Sequence, residues 1–467
     1  MNLKDSLDSL RGFWEEFSKV KTGLVGLAIL IVFVLLGLFG QWLVPFPEAT
    51  KHWLDITYWE DNPQAAPPVW TNWFSAKKGP PSLILTSPKV EKTSTDNGMV
   101  IQTSTFDFKD NYDLPPRDLI VRLGGNGPIP TKIAIFRPDG SGGEIWRDQL
   151  QLSPDQPTRV SLAHSAASGV IDFIRSANEN LAFSMDPTLI KPVTLMFSQI
   201  DPDMVNSPKP MKGPYKIVVT QLVPSTDYKA DIPTIGLSGY VAGILGTDKM
   251  KRDIFTGIIL GIKWALIIGI LTSVISVVVG VLLGIIAAYF GGAVDWVLTR
   301  LYELIYLLPV LPFLIVVSAI FKPSIWTLIL LICLFFWTGS FKTVYSMALQ
   351  IKEETFVEAS KALGSGSWRI IVKHISPILL PYSFASMALS IPAIIVYEAS
   401  VSLLGLGDST IVSWGQILQA ALTNGAVINN LWWWVIPPGL AIALMGMSFA
   451  FLGTALDKIL HPKLKTR

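Results

Sequence analysis

Cysteine is all but missing: Cys333 stands alone, inside the apolar run 328–337, so no intrachain disulfide can form and the residue reads as a small buried hydrophobe. Histidine is scarce too. His52, His164, His374 and His461 are scattered, without the close spacing of a metal site. Charged residues make up 15% of the chain, where a soluble domain carries about 25%. The formal net charge is only +2, which excludes the basic stripe of a nucleic-acid surface. A phosphate loop is also lacking, since Gly140-Ser141-Gly142-Gly143 is not followed by Lys-Ser/Thr.

What the chain has is lipid-compatible length. Hydrophobic residues reach 50% and mean hydropathy is +0.47. A bilayer core takes about 20 mostly apolar residues in a helix. The runs 23–44, 264–289, 297–320, 325–349, 383–404 and 431–453 meet that length. The first follows Lys4, Arg11, Lys19 and Lys21 as a signal peptide would, but it is too long for one and ends without a small-x-small cleavage site. It reads as an uncleaved span.

Sidedness follows from Lys and Arg in short segments near the span ends. With the N-terminus inside, the cytoplasmic segments hold that first group, then Arg300, then Lys352, Lys361, Arg369 and Lys373, then Lys458, Lys463, Lys465 and Arg467. The segment 405–430 holds no Lys or Arg and belongs outside. The long segment from Pro45 to Gly246 then lies outside as well. Trp432, Trp433 and Trp434 fit an interfacial aromatic belt.

That long segment changes character, with crowded prolines and short alternating runs. Residues 118–123, 132–137 and 215–220 read as strands, and Pro138 to Gly143 is a turn between two such runs. A β-sandwich or barrel is expected, with one helix over 165–181. Three regions result: an N-tail and first span (1–45), a β-rich extracytoplasmic insert (46–240) and a helical core (241–467).

The most informative stretch is the loop 351–381. Residues 353–363 are good helix formers too charged to span lipid, and Gly364 and Gly366 stop them. Residues 368–375 offer a second short amphipathic turn, with Pro377 at the entry to the next span. Glu358, Ala359, Gly364 and Pro377 fall on the Glu-Ala-Ala, three residues, Gly, later-proline pattern of the loop in ABC importer permeases. Ser360 and Ser376 depart from it.

The resemblance narrows to the dipeptide and oligopeptide (peptide/nickel) permease family, and within it to the second permease subunit. That family carries Gly-Thr-Asp-x-x-Gly-Arg-Asp before the second span, and residues 246–253 match except at Lys251. Tyr289-Phe290-Gly291-Gly292 with Asp295, Glu398-Ala399, Leu403-Leu404-Gly405-Leu406-Gly407, Ser413-Trp414-Gly415 and His461-Pro462-Lys463-Leu464 keep the family order. The fold class expected is thus an α-helical polytopic membrane protein, a type I ABC importer permease core of six transmembrane helices, with a β-rich insert between helices one and two.

The resemblance implies a non-catalytic subunit that forms half of a peptide translocation pathway. Its partners would be a second homologous permease, an extracytoplasmic substrate-binding protein and two ATPase subunits, with ATP and Mg bound by those ATPases and no cofactor by this chain. Glu354, Glu358, Ala359, Ser360, Gly364 and Pro377 would form the ATPase-coupling loop. Glu303 and Glu398, ionisable within or at the ends of spans, are candidate intramembrane functional residues. The same family also carries nickel chelates and oligosaccharides. A different class of reading is a membrane-anchored receptor whose β-rich insert does the work.

Overall fold

A computed structural model describes residues 3–460 apart from 45, 47, 96, 97, 127, 152–156, 184, 225, 226, 322 and 323. The motif His461-Pro462-Lys463-Leu464 and the basic residues Lys465 and Arg467 lie outside the described residues. Two compact units divide the chain, Met1–Thr50 with Thr256–Arg467, and Lys51–Phe255. It begins with α1 (Leu3–Ser18) and α2 (Lys21–Phe39), followed by the short α3 (Ala49–His52).

The second unit is built on β-strands, β1 (Leu83–Leu85), β2 (Lys89–Ser94), β3 (Val100–Asp110), β4 (Asp118–Arg122), β5 (Gly125–Asn126), β6 (Pro128–Phe136), β7 (Gly142–Gln151), β8 (Thr158–Arg159), β9 (Gly213–Val223), β10 (Lys229–Ala230) and β11 (Thr234–Ser238). A five-stranded sheet runs β2-β3-β9-β6-β7, a four-stranded one β1-β11-β4-β8, and β10 pairs β5. The named strands all pair antiparallel. Alternation sets which side chains point inward. Tyr215, Ile217 and Val219 of β9 are buried with Ile133 and Ile135 of β6, and Leu119, Val121 and Ile235 of the smaller sheet join the same core. Among the described residues strands β2 and β7 pair on one side only, so the larger sheet described is open and not a closed barrel.

The helix expected over 165–181 is two, α4 (His164–Ala177) and α5 (Glu179–Phe183), with α6 (Pro192–Met196) further on. Asn178 breaks it. Its backbone is extended, and its side chain accepts a hydrogen bond from the Leu181 N–H at 3.2 Å, which favours a helix start over continuation. The apolar face of α4, with Val170 and Ile174, completes the core.

This unit runs on to Phe255, past the expected end at 240, because the Gly246-Thr247-Asp248 segment is tied back to residues 60–66. The Thr247 hydroxyl donates to Pro63 O at 2.6 Å and accepts from the Ala66 N–H at 3.0 Å.

The first unit resumes with α7 (Ile254–Phe290), α8 (Gly292–Leu307), α9 (Val310–Ile320), α10 (Ile325–Lys352), α11 (Thr355–Ala362), α12 (Ser367–Ile370), α13 (Ser376–Leu403), α14 (Trp414–Thr423) and α15 (Trp432–Leu460). Among the described residues five helices are long and apolar enough to cross a membrane: α2, α7, α10, the continuous Ser367–Leu403 and α15. The third expected span differs: α8 and α9 meet at 82°. Pro309, the residue before α9, fixes its own φ and has no N–H to carry the ladder onward. The fold is that of a helical multi-pass membrane protein.

Close helix contact is licensed by small residues. A Cβ at Gly284 of α7 would lie 2.8 Å from Phe341 O on α10. Gly261 does something else, since it lies beneath the indole of Trp414, whose Nε1 donates to Ile258 O at 3.0 Å.

Candidate functional site: an exposed loop and a buried carboxylate

Helix α11 is short because its sequence ends it. Beyond Leu363 the Gly364 N–H donates to Lys361 O at 2.9 Å and the Ser365 N–H to Ser360 O at 3.0 Å. This is the paired bonding of a Schellman end, with Gly364 at φ +81°, a left-handed conformation open to glycine at no steric cost. A Cβ at Gly364 would meet nothing within 4 Å, so conformation alone, and not crowding, selects glycine there.

Where a second short helix was expected, α12 passes through a π-helical turn (Ile371–Ile375) straight into α13. Pro377 lies in the first turn of α13, and its missing N–H leaves the carbonyl of residue 373 without a regular helical donor. The loop is therefore one free helix, a glycine turn and the extended foot of a span.

One face of this loop is fixed. Val357, Ile370, Ile371 and Ile375 are buried in one cluster with Ile285 of α7 and Val344 of α10, and burying a side chain such as Val357 contributes roughly 1.5–3 kcal/mol. Lys352 Nζ donates to Ala288 O in the last turn of α7 at 3.2 Å, where a cation suits the helix end. The other face is open. Glu354, Glu358, Ala359 and Gly364 are exposed, as is Pro377, while Ser360 is half-buried with its hydroxyl donating to Phe356 O at 2.8 Å. Leu363 is 86% and Trp368 63% exposed. Sequence reasoning passed over the anchor Val357, whose only signal was an apolar pair with Phe356 in a charged run, whereas Ile370 lies in the amphipathic turn expected over 368–375.

Of the two acidic candidates in helices, the structure brings neither to the loop. Glu303 pairs with Arg300 one turn away on α8, half-exposed. Glu398 is buried; the Ser402 hydroxyl donates to its Oε1 at 2.8 Å, and Ser413 is a second hydrogen-bond partner. A Cβ at Gly415 would come within 2.7 Å of Ser402 Cβ and 2.8 Å of Ala399 Cα. The motifs Glu398-Ala399 and Ser413-Trp414-Gly415 thus form one joint between α13 and α14. Asp295 is likewise engaged, accepting from the Thr299 and Tyr345 hydroxyls, each at 2.9 Å.

The segment before α7 holds the densest charge. Asp248 accepts from Arg252 Nε at 2.6 Å, the Arg252 guanidinium lies over Trp53, and Lys251 Nζ donates to Glu60 Oε1 at 2.6 Å. Burial pushes the Asp248 carboxyl up, against the pull of Arg252. Lys251, where the resembling family has glycine, holds φ +66°.

A model of binding-protein-dependent transport system inner membrane components matches residues 280–466, and one of the N-terminal TM domain of oligopeptide transport permease C matches 9–68. The chain is 34% identical over 221 residues to the dipeptide transport system permease protein of Bacillus subtilis, an overlap of 47% of this chain and 68% of that protein. The chain belongs to this family of importer permeases. The permease is also 31% identical over 239 residues to the oligopeptide transport system permease protein of Haemophilus influenzae, covering 51% of the one and 75% of the other. With the glutathione transport system permease protein of Pectobacterium atrosepticum it shares 29% identity over 223 residues, 48% of this chain and 73% of that protein. The sheets of the permease fall between its two family-matched stretches.

Proposed function

We propose that the chain is the permease subunit of an ATP-driven importer of peptides, and that α11 and the glycine turn after it are where a partner ATPase docks. One observation carries this: an exposed helix end with Leu363 and Trp368 facing out rests on a buried cluster shared with α7 and α10. Force applied to α11 then reaches two membrane helices through packed side chains, which is the physical requirement for coupling. Taken as one span, the bent pair α8–α9 makes six spans. The Lys and Arg distribution sets the loop on the cytoplasmic side and the β-sheet unit outside. ATP and Mg are bound by two ATPases in trans; a second permease completes the pathway and an external binding protein delivers cargo. The dipeptide, oligopeptide and glutathione permeases among its relatives support a peptide substrate.

The test is reconstitution with the partner permease and ATPases. Leu363→Asp is expected to leave membrane level and melting unchanged, because the side chain is in solvent, and to lower peptide-stimulated ATPase activity and uptake together by roughly tenfold, the cost of about 1.4 kcal/mol of lost docking. Full uptake by this variant would refute the docking site. Competition between labelled peptides, oligosaccharides and nickel chelates in the wild-type complex reads the cargo class separately.

A further inference from the structure

A cleft of about 580 Å³ opens in the β-sheet unit, within the roughly 300–1,000 Å³ of small-ligand sites. Four Lys and Arg side chains line it, Arg117, Arg159, Lys191 and Lys251, against one carboxylate, Asp118. Two of these cations are neutralised inside the fold. Arg159 Nη2 lies 2.5 Å from Asp118 Oδ2 and Lys251 Nζ 2.6 Å from Glu60 Oε1. Asp118 has no oxygen to spare, because its Oδ1 accepts the Leu119 N–H at 2.9 Å.

Arg117 and Lys191 remain. Neither has a carboxylate partner among the described residues. The Arg117 guanidinium lies 3.8 Å from the Tyr240 ring centroid, which holds the head in place and leaves its charge unmatched. A third positive element faces the same space. Ala163 and His164 line the cleft at the start of α4, whose N-cap Ala163 makes no side-chain cap. The Ala166 N–H is taken up by Ala163 O at 3.0 Å, whereas those of His164 and Ser165 have no acceptor among the described residues and, with the positive helix end, are open to an anion.

The rest of the wall is apolar. Leu162 is 73% exposed on the cleft, beside Ala167, Ile190 and Pro192. An inorganic anion has no use for that surface, whereas a chain end with a carboxylate and aliphatic side chains matches both parts. The geometry points to a site for the C-terminal carboxylate of a short peptide in this cleft, paired with Arg117 and Lys191 and capped by the first turn of α4. The peptide class rests on the import reading above; the demand for an anion rests on the cleft alone. The β-sheet unit is then a ligand-binding element of the importer in its own right.

The experiment is calorimetry on the full chain in lipid nanodiscs, without partner subunits, using tetra-alanine, its C-terminal amide and sulfate as probes. Tetra-alanine is expected to bind and the amide to bind roughly tenfold more weakly, as for loss of a charged hydrogen-bonding group. Arg117→Gln with Lys191→Gln is expected to weaken tetra-alanine by at least that factor with the melting temperature unchanged, since both side chains are exposed. Lys191→Gln alone carries the same test with a smaller shift should the double variant fold poorly. Equal affinity for acid and amide, or undiminished binding in the variants, overturns the site, and binding of sulfate without tetra-alanine overturns its peptide assignment. Uptake by the assembled complex despite a silent cleft leaves the import reading standing.

Discussion

Of the positions with a left-handed backbone, two meet it in opposite ways. Gly364, at the end of α11, has φ +81°, and Lys251, ahead of α7, has φ +66°. At Gly364 nothing lies within 4 Å of where a Cβ would stand, so no contact is available to hold a side chain in a conformation that costs an L-residue roughly 1–2 kcal/mol. At Lys251 the side chain is held. Its Nζ donates to Glu60 Oε1 at 2.6 Å and to Glu60 O at 3.1 Å, in surroundings that leave the two side chains 11% and 16% exposed. The path of the chain demands the conformation in both places. Glycine meets it where the loop is open to solvent, and an ion pair meets it inside a packed fold.

The sharpest way to break this contrast is to remove the clamp. Glu60→Gln leaves the Lys251 ammonium nearly buried without its carboxylate and also deprives Arg159, 3.4 Å from Glu60. Breaking a fully buried pair costs about 3–5 kcal/mol; with this residual exposure about 2–3 kcal/mol is expected, read as a lower unfolding temperature of the purified chain in detergent. A change below about 0.5 kcal/mol, the range of ordinary surface substitutions, would mean that the backbone needs no clamp.

Gly364→Val comes next. The strain of about 1–2 kcal/mol has no steric clash added to it, so expression and the packing of α7, α10 and α13 should survive. The α11 end should unravel locally, seen as faster amide exchange at Gly364 and Ser365, whose bonds to Lys361 O and Ser360 O close the helix. Unchanged exchange would show that the turn tolerates a side chain after all.

Much of this contrast was legible in the sequence. Gly364 follows a charged helical run, and the departure at Lys251 stands out against an otherwise matching segment. The partner Glu60 was not legible, being 191 residues away. The same division runs through the fold. Apolar run lengths give the spans and alternation gives Tyr215, Ile217 and Val219, because both patterns are local. The 82° break between α8 and α9 is hidden by unbroken hydropathy, although Pro309 marks it. The continuity of α12 with α13 was missed because Pro377 reads as a helix start; being in the first turn, it need not end the turn before it. For Glu398, Ser402 is one helical turn away and readable, whereas Ser413 reaches it only through the joint with α14.

Lys251→Gly asks whether the two solutions are interchangeable, and it is expected to change least. The variant removes the left-handed strain, roughly 1–2 kcal/mol in its favour. Against this stand the lost ion pair and the greater freedom of glycine in the unfolded chain, the latter roughly 0.4–1 kcal/mol. Glu60 is not stranded, because Arg159 remains 3.4 Å away, so the penalty of an unpaired buried charge does not arise. The terms nearly cancel, and the unfolding free energy should move by no more than about 1 kcal/mol in either direction. A loss as large as that in Glu60→Gln would mean that the lysine, and not the carboxylate, holds the segment. A gain of several kcal/mol would mean that the strain at Lys251 is larger than its contacts offset, and that glycine is the better residue even inside the packed unit.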